Sequence, residues 1–365
     1  MILEWLKKLF GIKRTTGFNA ELQKVHYEAN YKIGGIGDLF KYTPKHTERY
    51  VLATLGIRDQ AGQRSCVVES AATQKEVDEG VRLSPQSLAA YLLSVGMITR
   101  QGTSLSAAQD GLRHWGMAEH NLTPNKYFVD FSVFASPRVL TNEVVQNAAK
   151  HKTESYYTTQ NLNKVLEELD NGKKGHTASE WWSNHYNLRT PFVYGVGAGN
   201  LDYHAYDVVG YWDEKKILIC ENSFGEEWGE DGYFYIRYED FNRVFKWGVY
   251  FNSDMPKDLV GWLSIHAGQA VKEKNGPKIY LIQSDKKHHI PDEVIWHLLG
   301  KTTSTMEDME NVLPEVKEGD PIKIEDIPAD RVAQVKEEIR LLNAANFVNN
   351  DLRDKYKKVF PDLFN

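Results

Sequence analysis

The stretch Asp59-Gln60-Ala61-Gly62-Gln63-Arg64-Ser65-Cys66 decides how this chain is read. A glycine-containing loop runs straight into a segment with the apolar seam Val67, Val68, Ala71 and Ala72, which predicts a helix over Cys66 to Glu79. Cys66 then opens that helix, where the partial positive charge of the helix N-terminus favours thiolate over thiol. Position alone is a weak signal, because cysteine is among the most buried residue types and most lone cysteines fill cores. The case for a nucleophile therefore depends on what the rest of the chain supplies.

Two downstream strings supply it. Tyr203-His204-Ala205-Tyr206-Asp207-Val208-Val209-Gly210-Tyr211 puts a histidine at the start of a β-branched, aromatic strand. Cys220-Glu221-Asn222-Ser223-Phe224-Gly225 follows, and then Trp228-Gly229-Glu230-Asp231-Gly232-Tyr233. A nucleophilic cysteine needs a histidine to hold its proton, and the histidine needs a polar group to fix its ring. Cys66, His204 and Asn222 fill those roles, and Gln60 can aim an amide at the oxygen that gains charge during attack.

In the order and spacing of these strings, residues 45–253 resemble the papain-like cysteine peptidases. The matching segments are Gln60 to Cys66 with Ser70 and Ala71, Leu83-Ser84-Pro85-Gln86, His204-Ala205 with Val209-Gly210-Tyr211, Asn222 to Gly225, and Trp228 to Tyr233. The resemblance implies an α+β fold of two lobes: a helical lobe tipped by Cys66 and an antiparallel β lobe carrying His204 and Asn222. It implies a thiol protease that hydrolyses peptide bonds through a Cys66–His204 thiolate–imidazolium pair at hydrogen-bonding distance. Asn222 would hold the ring, Gln60 and the Cys66 N–H would form the oxyanion hole, and Trp228 and Phe224 would shield the Asn–His contact. No metal or organic cofactor is implied, and the substrate is a protein or peptide.

The chain departs from the family pattern around the nucleophile. Gln63 replaces a disulfide cysteine, Arg64 a glycine, Val67 a large aromatic, Glu69 a helix-core aromatic, and Phe224 a tryptophan. A positive φ at Arg64 would cost about 1 kcal/mol or more. These changes keep open a second reading, a weakly active or inactive papain-fold scaffold in a large assembly such as a virion. Hydrolysis of bacterial wall peptides ranks only as a substrate variant.

Around that core, 365 residues suggest two or three domains. With 41% hydrophobic and 26% charged residues, a sizeable core is possible and global disorder is excluded. No apolar run approaches the roughly 20 residues needed to cross a bilayer. Net charge is -6, so the basic excess of nucleic-acid binders is missing. Two cysteines rule out a disulfide scaffold. No signal peptide is evident, and the expectation is a cytoplasmic or virion-associated protein.

The domains read as 1–45, 46–255 and 256–365. Residues 2–14 form an amphipathic stripe expected to dock on the protein's own body or on a partner, with a membrane-surface helix as the second reading. The segment 1–45 either packs away from the cleft, the favoured expectation, or lies across it as built-in inhibition. Helices open at Ser84-Pro85 and run over Ser106 to Trp115 and Asn161 to Leu169, and strands follow beyond Pro191. The last third reads as a hairpin over Lys278 to Ile290, a helix from Asp292 to Leu299, a solvated acidic connector from Met306 to Asp330, and a closing helix from Asp330 to Ala345. The stretch 278–322 is similar to small Tyr-Leu-Ile…His-Ile-Pro-Asp modules appended to bacterial and phage surface proteins, which implies partner binding. Cys220, His288-His289 and Trp181-Trp182 read as packing or strand residues, with no shared metal.

Overall fold

Helix α1 (Cys66–Glu79) is the piece around which the first unit is built, and nearly its whole circumference is covered. Its apolar residues Val67, Val68, Ala71 and Ala72 are buried as the seam predicts. It ends at Gly80, whose left-handed backbone (φ 69°) lets its N–H cap the carbonyl of Glu76. Helices α2 (Pro85–Ser94) and α3 (Leu105–His114) pack on α1. Pro85 occupies the first turn of α2, where a missing N–H costs nothing.

A computed structural model of the chain describes residues 17–20, 23, 42–123, 130–192, 194–195, 197–255, 259–260, 262–263, 269–274, 276–283, 285–299, 306–307, 312–344 and 350–364. The chain divides into two units, Met1–Lys32 with Thr43–Lys257, and Ile33–Tyr42 with Asp258–Asn365. The stripe at 2–14 lies outside the described residues.

The other half of the first unit is a mixed-length antiparallel sheet of seven strands among the described residues. Six lie in the order β2 (Ser155–Thr159), β7 (Val249–Ser253), β3 (Gly175–Trp182), β4 (Leu201–Trp212), β5 (Ile217–Glu221), β6 (Tyr233–Arg237). The seventh, β1 (Arg49–Val51), pairs with β4. Strand β4 lies against α1, which brings Ala205 into the same apolar cluster as Cys66. Strand β4 thus pairs along its edges with β3 and β5 and turns a face to the helical layer. The first unit is α+β, as the segregation of helical and strand-rich text predicts.

The joint between helix and sheet carries an uncommon load of buried charge. Lys174 and Glu221 pair at 3.0 Å with both side chains almost fully covered, and Asp207 lies beside them. Burial, reinforced by the neighbouring Glu221, holds the Asp207 carboxyl well above the usual carboxylate range. Removing the cation leaves the acid pair uncompensated. Lys174→Met is expected to destabilise the protein by about 3–5 kcal/mol, read as a lowered midpoint in urea with an unchanged slope.

Among the described residues, the second unit has its own five-stranded sheet, ordered β11 (Met306–Glu307), β8 (Ala270–Lys272), β9 (Ile279–Gln283), β10 (Lys286–His289), β12 (Lys317–Glu318). The β9–β10 pair is the predicted hairpin, and a helix follows over Glu293–Leu298. The acidic connector is not merely solvated, because Leu313, Val316, Ile322 and Ile327 are buried in this unit. Helices over Ala329–Ala344 and Asn350–Val359 close it, the second of them unforeseen. Val335, Ile339, Tyr356 and Phe360 join Leu281, Ile290 and Val294 in one core.

Candidate active site

Each residue of the site is placed by a different element. Ser65 precedes α1, so Cys66 is its first helical residue. His204 lies on β4, and Asn222 follows directly on the end of β5. Pairing of Asp207 with Glu221 and of Val208 with Cys220 fixes the register that brings His204 to Asn222. The loop carrying Gln60 is stitched to the same region, since Gln60 N–H donates to Ser223 O at 2.9 Å and Gly225 N–H to Arg58 O at 2.9 Å.

The imidazole is held from the loop that follows β5. His204 Nε2 meets Asn222 Oδ1 at 2.7 Å, and that oxygen also accepts the Ser223 N–H at 2.8 Å. An oxygen that already accepts one N–H sets the tautomer: Nε2 carries the proton and Nδ1 keeps the lone pair. Phe224 stacks on the His204 ring, with centroids 4.6 Å apart and planes at 26°. Trp228 meets Phe224 edge-on at 5.7 Å and donates its indole N–H to His185 O at 2.8 Å. Trp181, read from sequence only as packing, is fully buried with its ring 4.8 Å from that of His204.

The expected hydrogen bond between thiol and imidazole is not formed. His204 Nδ1 is buried and has no hydrogen-bond partner among the described residues. The sulfur of Cys66 instead accepts the Ala205 N–H at 3.4 Å and the Gly17 N–H at 3.0 Å. Both side chains are wholly covered. In that dry setting burial pushes the thiol up to about 12, while the two N–H groups pull it down by less. Burial likewise takes His204 down to about 4 against the opposing Asn222 hydrogen bond. Both groups are therefore neutral at pH 7. An ion pair needs water or a charged reactant that this closed site excludes.

What closes it is the N-terminal segment. This corrects the expectation that the segment packs elsewhere. Residues 17–19 run parallel to Thr103: the Thr103 N–H donates to Gly17 O at 2.9 Å, and the Asn19 N–H to Thr103 O at 2.8 Å. Phe18 packs edge-on against Trp247 and Tyr203 and joins the cluster of Cys66, Ala178 and Ala205. Gln23 is fully buried, donating to Tyr250 OH at 2.8 Å and accepting the Leu105 N–H at 2.9 Å. The approach is so close that only glycine fits on both sides. A Cβ on Gly17 would fall 2.0 Å from Arg64 O, and one on Gly102 1.6 Å from Gly17 O.

The departures around the nucleophile are accommodated. Among the described residues, positive φ at non-glycine positions falls at Ala61, Lys216 and Asp231, so Arg64 carries no such strain. Glu69 is buried without exposure and accepts Ser65 Oγ–H at 3.1 Å, with Arg58 Nη1 at 3.4 Å. Gln60 is fixed at both ends, its amide donating to Gln63 O at 2.8 Å and its oxygen accepting Ser223 Oγ–H at 2.6 Å. Cys66 and Cys220 are both free thiols. The described residues contain no cluster of three or more His, Cys, Asp or Glu fit to hold a metal ion.

A family model of the papain family cysteine proteases matches residues 108–245. The chain carries a papain-family cysteine protease domain. The matched stretch of this papain-family domain holds His204 and Asn222, while Cys66 and Gln60 lie before it and are joined to it by the geometry above. Among solved structures, xylellain, a cysteine protease from Xylella fastidiosa, is 18% identical over 67% of this chain and 98% of its own, with a TM-score of 0.50. A digestive procathepsin L 3 from Tenebrio molitor larval midgut is 17% identical over 68% of this chain and 86% of its own, with a TM-score of 0.45. The search of curated proteins gives no match.

Proposed function

We propose that the papain-family domain hydrolyses peptide bonds with Cys66 as nucleophile, and that Gly17 to Ala20, with Gln23, hold it latent in the closed state. The observation that carries the reading is the His204 Nε2 contact with Asn222 Oδ1 at 2.7 Å, which leaves Nδ1 unpartnered among the described residues. The ring's Nε2–H is spent on Asn222, and its buried Nδ1 lone pair is left on the side chain that directly precedes the Ala205 N–H on the sulfur. That lone pair accepts the Cys66 proton once the segment leaves and water enters. The thiolate then attacks the carbonyl, with the Cys66 N–H and the Gln60 amide facing the oxyanion. The His204 imidazolium protonates the leaving amine, and the same ring activates the water that releases the acyl group.

A second reading, a fold-only scaffold, draws on one observation: the thiol is completely covered and pushed far from ionisation. Labelling with an epoxide or vinyl-sulfone probe separates the two. A single adduct on Cys66, absent from Cys66→Ala, supports the peptidase. Silence in folded protein with the segment displaced supports the scaffold.

A further inference from the structure

We infer that Arg64 makes the cleft selective for peptides with an acidic side chain on the acyl side of the bond that is cut. The inference rests on the peptidase reading but is tested apart from it.

Arg64 is where the loop before α1 comes to the surface. The loop is tied to itself, the Gln63 N–H donating to Gln60 O at 2.9 Å and the Gln60 amide to Gln63 O at 2.8 Å. Gln63 and Ser65 are buried, and Arg64 between them is exposed. Its guanidinium makes no hydrogen bond or ion pair among the described residues. The residue that rests on the sulfur also rests on this arginine. Gly17 donates its N–H to Cys66 Sγ at 3.0 Å, and a Cβ on it would fall 2.0 Å from Arg64 O and 2.9 Å from Arg64 Cα. A peptide that replaces the segment on the sulfur therefore passes over the same backbone, within reach of the long Arg64 side chain. Chemistry decides which of its residues does so. The carbonyl under attack must face the Cys66 N–H and the Gln60 amide, both on this loop, while the leaving amine must face His204 on β4. The acyl-side residue is the one left over Arg64.

Charge on the opposite wall sharpens the choice. Asp202, on β4 two residues before His204, is the carboxyl whose field reaches both Cys66 and His204. Its oxygens are engaged locally, one accepting the Tyr203 N–H at 2.9 Å and the other the Tyr186 hydroxyl at 3.2 Å. The site thus carries a cation on the loop side and an anion on the β4 side. A substrate carboxylate is attracted by the first and repelled by the second, so it is favoured on the acyl side alone. The planar guanidinium matches a carboxylate at two points, with charge that an amide of the same shape lacks. Gly17 has no side chain, so the closing segment covers the Arg64 backbone without offering that carboxylate.

The test uses the full-length Gly17→Ala chain, whose added methyl displaces the segment. It is reacted with three tripeptide vinyl sulfones, alike except for Glu, Gln or Lys in the residue next to the warhead. The warhead takes the place of the carbonyl, so that residue stands on the acyl side. The second-order rate of adduct formation on Cys66 is read by peptide mass spectrometry, and comparing probes within one chain cancels any change in the sulfur itself. Glu is expected to react about tenfold faster than Gln, and Lys more slowly than Gln, as for a charge-assisted hydrogen bond discounted for exposure. Arg64→Gln is expected to flatten the order, Arg64→Glu to put Lys first, and about 1 M salt to shrink the advantage of Glu where Arg64 is intact. Equal rates for the three probes, or an order unchanged in R64Q, overturn the inference and leave the peptidase reading standing, as for an arginine that serves only solubility. No adduct on Cys66 with any probe overturns both.

Discussion

Gly17→Ala is expected to raise the rate of Cys66 labelling by a small thiol reagent about a hundredfold, and to lower the unfolding free energy of the domain by no more than the corresponding ~3 kcal/mol, since only the closed state is destabilised. The new methyl would meet Arg64 O at 2.0 Å and Arg64 C at 2.2 Å, both backbone atoms that cannot swing aside. The segment must lift, and in lifting it gives up the N–H on the sulfur and two backbone bonds with Thr103. Each such bond is worth about 0.5–1.5 kcal/mol, and the covered Phe18 ring about 1.5–3 kcal/mol. Their loss shifts the closed–open balance by a few kcal/mol, and 1.4 kcal/mol is tenfold in population. Labelling kinetics of wild type and G17A check this directly. A rate within twofold of wild type would mean that the segment does not guard the thiol.

In G17A, His204→Ala is expected to lower kcat/KM on a peptide substrate by about 10³-fold or more, and Cys66→Ala to bring it to background. The ring is both the acceptor of the thiol proton and the donor to the leaving amine, so no other described group replaces it. Asn222→Ala should cost less, because it frees the ring to rotate without removing it. Phe224 and Trp181 still confine the imidazole from two sides, at 4.6 and 4.8 Å. Steady-state kinetics on the three variants give the ordering. Equal losses for Asn222→Ala and His204→Ala would show that ring orientation, not the ring's base, is the limiting contribution.

Much of the site was legible because its signals are local. A loop glycine, an apolar seam and a cysteine at their junction place Cys66 on a helix tip, and the Asn-Ser-aromatic-Gly string places Asn222 at a strand end. The closing segment left no such trace. Its hold comes from backbone bonds to Thr103 and from the near contact of Gly17 with Arg64 and Gly102, neither of which imposes a side-chain pattern. Strands β2 and β3 were missed for a related reason. SYYTT and GHTASEWW are covered on both faces, so neither alternates apolar with polar. In the second unit, the charge between Met306 and Asp330 drew attention from the apolar residues beneath it, and Leu313, Val316, Ile322 and Ile327 supply core there. The thiol–imidazole bond was expected from the family resemblance, whereas in the closed site burial keeps both groups neutral and the sulfur accepts the Gly17 and Ala205 N–H groups instead.

The central claim is that Cys66 and His204 become an ion pair once the cleft is vacated. Its most direct test is the pH profile of Cys66 alkylation in the full-length G17A chain, with and without His204→Ala. The account predicts substantial thiolate reactivity at pH 5–6 that disappears in the double variant, leaving a single rise at alkaline pH as for an isolated thiol, with an unperturbed value of about 8.5. Superimposable profiles for the two chains would contradict it.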